Sequence, residues 1–121
     1  VTFVPHLLPV NRGIESSIYV GLNEKGMLMT PERIHEIYTA AYKDEKFVRV
    51  EKLGNYANIK NVRMSNYCDI SLHLDDHTST LIISAVIDNM FKGAAGQAIQ
   101  NMNIRFGLDE AAGLEYVPPA F

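Results

Sequence analysis

The chain carries a single cysteine in 121 residues, which excludes an internal disulfide and leads us to expect a reducing, cytoplasmic setting. It has no basic run. Its 11 cations are scattered among 14 carboxylates, for a net charge of −3. Nucleic-acid binding is disfavoured on that ground, because neutralising phosphates requires clustered Lys and Arg. No apolar stretch is long enough to span a bilayer, and no secretory signal is legible. Internal repeats and low-complexity segments are missing too. What remains is ordinary for a globular protein: 47% hydrophobic and 21% charged residues, in a length that suits one domain with a sizeable core. The chain opens on Val1, directly in a β-like run, and the expectation is a piece of a longer polypeptide.

Hydrophobic periodicity lays out the elements. Val1 to Val4 reads as a short strand stopped by Pro5. Leu8 to Gly13 reads as a loop. Glu15 to Leu22 alternates with period two, as a strand does, and Asn23 to Gly26 forms a turn. Thr30-Pro31-Glu32 is a helix start, with Thr30 as cap and Pro31 at the first helical position. Ile34, Ile37, Tyr38 and Ala41 then form one apolar stripe, and the helix is expected to end near Lys43. Phe47 to Leu53 is predicted as a strand, and Gly54 to Asn66 as a loop. Tyr67 to Leu74 alternates cleanly, with Cys68, Ile70, Leu72 and Leu74 on one face. A hairpin turn over Asp75 to Ser79 leads into Thr80 to Ile87. That segment is apolar on both faces and is predicted as a central strand. A helix from about Met90 to Phe106 closes the set, with Gly107 as its C-cap. The order β-β-α-β-β-β-α predicts an α+β fold: a mixed, mostly antiparallel sheet with helices packed on one face.

Three groups of residues have chemical potential. In DNMFKGAAGQAIQNMNIRF, from Asp88 to Phe106, Asn89 has two open roles. It can cap the helix, or it can project its amide toward a ligand carboxamide. Lys92 is either a solvated charge or a contact for an anion at the helix N-terminus. Gly93 and Gly96 cost about 2 kcal/mol together relative to Ala. Close packing or close ligand approach would offset that. His6 follows a strand and Pro5, a common place for a general acid or base, although a lone His is more often structural. Arg12, between Asn11 and Gly13, either clamps a carboxylate or phosphate bidentately or makes a surface salt bridge.

Two other signals carry less. His73, Asp75, Asp76 and His77 have the donor types of a metal site, but they sit at a hairpin tip where such residues form turns. Neighbouring strand positions also point to opposite faces, so no metal is expected there. Cys68 alternates with Ile70 and Leu72 and reads as a small buried hydrophobe rather than a nucleophile.

Phe3-Val4-Pro5-His6-Leu7-Leu8-Pro9-Val10-Asn11-Arg12-Gly13-Ile14, Ser65-Asn66-Tyr67-Cys68-Asp69-Ile70, and Asp88-Asn89 with Lys92-Gly93-Ala94-Ala95-Gly96-Gln97-Ala98 and Gln100-Asn101-Met102-Asn103 together resemble the N-acetyl-gamma-glutamyl-phosphate reductases of arginine biosynthesis. The resemblance runs over nearly the whole chain and in the right order. It implies a C-terminal substrate-binding and dimerisation domain over residues 1–121, similar to the C-terminal domain of glyceraldehyde-3-phosphate dehydrogenase-like enzymes. The intact enzyme would add an NADP-binding Rossmann domain and a cysteine that forms a thioester with the N-acetylglutamyl group. Reduction would then give N-acetylglutamate 5-semialdehyde and phosphate. On this chain the resemblance implies His6 as acid/base, Arg12 with Asn11 at the anionic substrate, and Asn89, Lys92 and Gly93 on the cofactor side.

The chain departs from that pattern in lacking the glycine-rich phosphate loop and the Gly-Cys-Tyr-Pro-Thr segment. The fragment alone is therefore expected to be inactive and to hold no cofactor. Val4 stands where the family often has Thr, and Met64 where Gly is common. Two other readings stay open: a stand-alone dimerisation or ligand-binding module, and an aspartate-semialdehyde dehydrogenase-like domain. A strand apolar on both faces needs helices on one side and a partner on the other, so a homodimer or higher homo-oligomer is expected.

Overall fold

A computed structural model describes residues 1–119. Strand β1 spans Ile14–Gly21, followed by a four-residue helix α1, Glu24–Met27, and helix α2, Pro31–Ala41. Strand β2 covers Val48–Val50, and a 3-10 turn occupies Ile59–Asn61. Strands β3, Cys68–Asp75, and β4, Thr80–Ile87, form a hairpin. A π-helical turn at Phe91–Ala95 runs into helix α3, Gly96–Phe106. The four strands form one sheet in the order β1-β4-β3-β2, with β2 parallel to β3 and the other pairs antiparallel. The fold is the expected α+β class, a mixed and mostly antiparallel sheet.

Local chemistry explains most boundaries. Thr30 accepts from the Arg33 N–H and Pro31 opens α2, as the sequence predicts. Gly107 takes the left-handed conformation (φ +68°) that ends α3. In the hairpin turn, the Asp75 carboxylate accepts from the His77 N–H and the Thr78 hydroxyl, which lowers its pKa, the Thr78 bond being the largest cause. His73 bonds Ser71 and stacks on Tyr56 with ring centroids 4.4 Å apart. These groups are thus occupied in shaping the turn and the sheet face.

Three expectations need correction. Val1 to Val4 forms no strand among the described residues. An extended segment becomes a strand only against a neighbour, and the first ten residues are all exposed. The turn at 23–26 is part of a helix, because Asn23 caps it through the Gly26 N–H. The strand expected over Phe47 to Leu53 pairs only at Val48–Val50, with two flanking bonds, from the Cys68 N–H to the Phe47 carbonyl and from the Glu51 N–H to the Ile70 carbonyl.

The main core lies between α2 and one sheet face: Ile34 meets Ile70, Leu72, Leu81 and Ile83, all under a tenth exposed. Full burial of such a side chain stabilises by about 1.5–3 kcal/mol. Only half the predicted helical stripe is used. Ile34, Tyr38 and Tyr42 face the sheet, while Ile37 stays 40% exposed. A second, smaller cluster of Phe47, Ala111 and Leu114 folds the segment after α3 back onto the domain. β4 is central, as predicted, yet β1 on its outer side is exposed at every residue.

Candidate functional site

Chemistry-bearing residues gather where β4 stops. Ile87 at its end is paired with Ile14 on one side and Cys68 on the other, so three chain segments meet there. The organising group is Asp88, which is fully buried. Its Oδ2 accepts from the Met64 N–H at 2.7 Å and from Arg12 Nε at 2.8 Å. Its Oδ1 accepts from the Met90 and Phe91 N–H groups, each at 2.8 Å, and from Arg12 Nη2 at 3.2 Å. Burial by itself raises the pKa of this carboxyl. The Met64 and Phe91 N–H groups and the Arg12 guanidinium outweigh burial, so its pKa lies below the usual aspartate value. Asp88 supplies the side chain that caps the first N–H groups of the helical turn, at Met90 and Phe91, the capping role that the sequence offered to Asn89 as one of two. Asp and Asn cap equally well, so composition does not choose between neighbours.

Asn89 has another task. Its Oδ1 accepts from the Gly13 N–H at 2.9 Å, tying the loop before β1 to the end of β4. Gly13 sits at φ +115°, and a Cβ there would lie 2.2 Å from Ile59 Cγ2. Only glycine fits that backbone and that approach. Met64 holds φ +56°, unusual for a side chain of its size, while donating to Asp88. The strain is retained where the fold over-determines it.

Arg12 is 21% exposed, and its guanidinium is turned edge-on to Asp88 and lies 5.7 Å from the centre of the Phe91 ring. Nη1 makes no hydrogen bond among the described residues. Asn11 beside it is exposed. No hydrogen bond among the described residues brings His6 to this corner. Its one hydrogen bond joins Nδ1 to the Val4 carbonyl within its own arm, at 3.1 Å. A carbonyl only accepts, so the neutral ring carries its hydrogen on Nδ1 and leaves Nε2 as a bare acceptor.

Lys92 points inward. Its ammonium donates to Gln100 Oε1 at 2.6 Å and lies 5.8 Å from the Phe47 ring centre. Burial depresses its pKa, against the pull of Cys68, Glu110 and Glu45. The same Gln100 oxygen accepts from Asn66 Nδ2 at 2.9 Å, and Gln100 in turn donates to Glu110. The glycines now separate in role. Gly93 is exposed, and its N–H bonds the Asp88 carbonyl five residues back. Gly96 is buried, and a Cβ on it would lie 2.4 Å from Asn66 Oδ1 and 2.9 Å from the Phe91 carbonyl. The widened turn and the missing side chain bring α3 against Asn66. Cys68 is half-buried with its pKa raised, chiefly by burial, in keeping with a packed thiol.

Sequence reasoning named Arg12, Gly13 and Asn89 without the two bonds that place them, Arg12 to Asp88 and Gly13 to Asn89. It quoted Asp88, Asn66 and Gln100 only within motifs, with no role, and did not name Ile59 or Glu110. The available signal was the pair Asp88-Asn89 at a strand-to-helix junction, where an acidic cap is favoured.

The family model described as semialdehyde dehydrogenase, dimerisation domain, matches residues 1–89 of the 121, and the chain belongs to that family. Within it, the chain is similar to proteins named N-acetyl-gamma-glutamyl-phosphate reductase. It is 61% identical over 121 residues to the one from Brachyspira hyodysenteriae and 59% identical over 121 residues to that of Clostridium beijerinckii, covering all of this chain and 34% of each relative. The relative from Thermoanaerobacter pseudethanolicus is 50% identical over 118 residues, covering 98% of this chain and 33% of its own length. The chain thus spans about a third of the length of these curated relatives. The resemblance read from the sequence and these matches agree. Among the described residues no helix is long and apolar enough to cross a membrane.

Proposed function

We propose that this chain is the C-terminal substrate-binding and dimerisation domain of an NADP-dependent reductase that converts N-acetyl-gamma-glutamyl phosphate to N-acetylglutamate 5-semialdehyde and phosphate. The observation that carries the reading is the match of the entire chain to reductases of that name. The corner supports it with a rigid platform of the right chemistry. Arg12, fixed by Asp88, offers its remaining Nη1 to the anionic substrate, with Asn11 at its side. His6 acts as acid and base through Nε2, whose availability follows from the bond of Nδ1 to Val4. The cysteine nucleophile belongs to the part of the enzyme outside this sequence.

For NADP, the residues present fit only the nicotinamide end. Asn89 uses Oδ1 on Gly13, which leaves its amide N–H groups to meet a carboxamide. Gly93 is exposed on the same turn, and Lys92 shapes that side from beneath through Gln100. Bound NADPH supplies the hydride. This chain's task is to orient the acyl group, exchange the proton and exclude alternative poses. The family's dimerisation role, together with the exposed β1 (Tyr19 is 70% exposed), supports a homodimer.

The test is NADPH oxidation by the full-length polypeptide that carries this chain. N-acetyl-gamma-glutamyl phosphate is expected to be turned over, and His6→Asn to lower kcat by ~100-fold or more. Turnover of aspartyl phosphate instead assigns the sister activity. Failure with both acyl phosphates favours a non-catalytic module.

A further inference from the structure

A second concave surface lies on the other side of the 59–64 loop from the Arg12 corner. Ile59 and Met64 face the corner, against Gly13 and Asp88. Lys60 and Arg63 line a cleft of about 780 Å³ with Arg49, Lys52, Glu51 and Asp69. Pro118 and Pro119 close its rim. A chain with a net charge of −3 and no basic run in its sequence thus concentrates four cations against two carboxylates in one hollow.

Those two carboxylates do not neutralise it. Asp69 is fully buried and spent on Arg49, at 2.6 Å to Nε and 2.9 Å to Nη2. Arg49 is held further by the Asn61 carbonyl at 3.0 Å and by the Tyr67 ring, 4.3 Å from its guanidinium carbon. This makes a rigid basic wall. Lys52, Lys60 and Arg63 are exposed and form no salt bridge among the described residues. Glu51 is left as one carboxylate among three free cations. The backbone of Lys60 is itself fixed, since its N–H is capped by Asn58 in the 3-10 turn. Three cations without ion-pair partners among the described residues, lining one hollow, favour a small dianion over a dispersed charged face.

We propose that this cleft binds a phosphate dianion, with Lys60, Arg63 and Lys52 as its ligands and Arg49 as the fixed wall. The inference rests on the cleft alone and stands whether or not the reductase reading holds. The phosphate comes either as the free ion or as the monoester of a small molecule.

Backbone amide shifts of the 15N-labelled 121-residue chain decide it. The titrants are inorganic phosphate and glycerol 3-phosphate, with sodium chloride at matched ionic strength as reference. Saturable shifts at residues 49–52 and 60–63 are expected with at least one phosphate. The Lys60→Ala/Arg63→Ala double variant should weaken binding ~10-fold or more, as the loss of charge-assisted bonds dictates. Tighter binding of the ester identifies a phosphorylated small molecule, and equal binding identifies free phosphate. Shifts that follow ionic strength alone, shifts unchanged in the double variant, or shifts confined to Arg12, Met64 and residues 88–91 each overturn the proposal. The last result would leave the reductase reading intact, so the two fail separately. Both substituted side chains are exposed, so the variants should keep the fold.

Discussion

The corner around Asp88 and the arm from Val1 to Val10 are both rich in motif residues, yet they are built by opposite means. At the corner, one buried carboxylate collects Arg12 and three backbone N–H groups, and glycines at 13 and 96 let segments far apart in sequence touch. In the arm, Phe3, Leu7 and Val10 are more than half exposed, and His6 bonds only its own backbone. The comparison teaches that motif residues divide into those that make the platform and those that wait for a second surface. Exposed apolar side chains on the arm and β1 are what a covering partner would remove from water.

Breaking the platform should have the largest effect. Asp88→Ala strands Arg12 and three N–H groups, and a loss of about 3–5 kcal/mol in chemical denaturation is expected. A loss under about 1 kcal/mol would show that the corner is not over-determined. The same carboxylate sets an acid limit. Its folded pKa lies below the unfolded value, so its stabilisation is complete above about pH 4 and disappears as pH falls through the folded pKa. Denaturant midpoints measured down through that window should fall less steeply in Asp88→Asn than in the wild type.

Gly96→Ala comes next, at about 1–3 kcal/mol, because the new methyl meets Asn66 Oδ1. A double-mutant cycle with Asn66→Ala should recover part of that loss, and simple additivity would argue against the contact. Met64→Gly is expected to change stability by under about 1 kcal/mol, since relief of the left-handed strain is offset by backbone entropy. The smallest effect belongs to the arm. His6→Asn should shift the unfolding free energy by no more than about 0.5 kcal/mol while abolishing most turnover in the full-length enzyme. A large loss of stability there would mean that His6 is structural after all.

The sheet was legible because alternation and capping are local. Thr80 to Ile87 matches β4 end to end, Thr30-Pro31 opens α2, and Gly107 closes α3. The arm strand was misread for want of a neighbour, which no periodicity reveals. The site was half legible. Asn89, Arg12 and Gly13 were visible as residue types, but Arg12 is placed by Asp88 and Gly13 by Asn89, and the role of Asp88 requires the loop at Met64 to arrive from 24 residues away. Lys92 shows the same limit, since whether an ammonium faces water or Gln100 is a matter of burial.

Residue order by itself determined the strands and helices, the absence of a disulfide and the likeness to a reductase family, because periodicity, caps and motif spacing act over a few neighbouring positions. Folding in three dimensions decided which aspartate organises the corner, why Gly96 must be bare, and where scattered cations become a cleft. Those outcomes depend on burial and on distances between segments remote in sequence, and only a packed chain sets them.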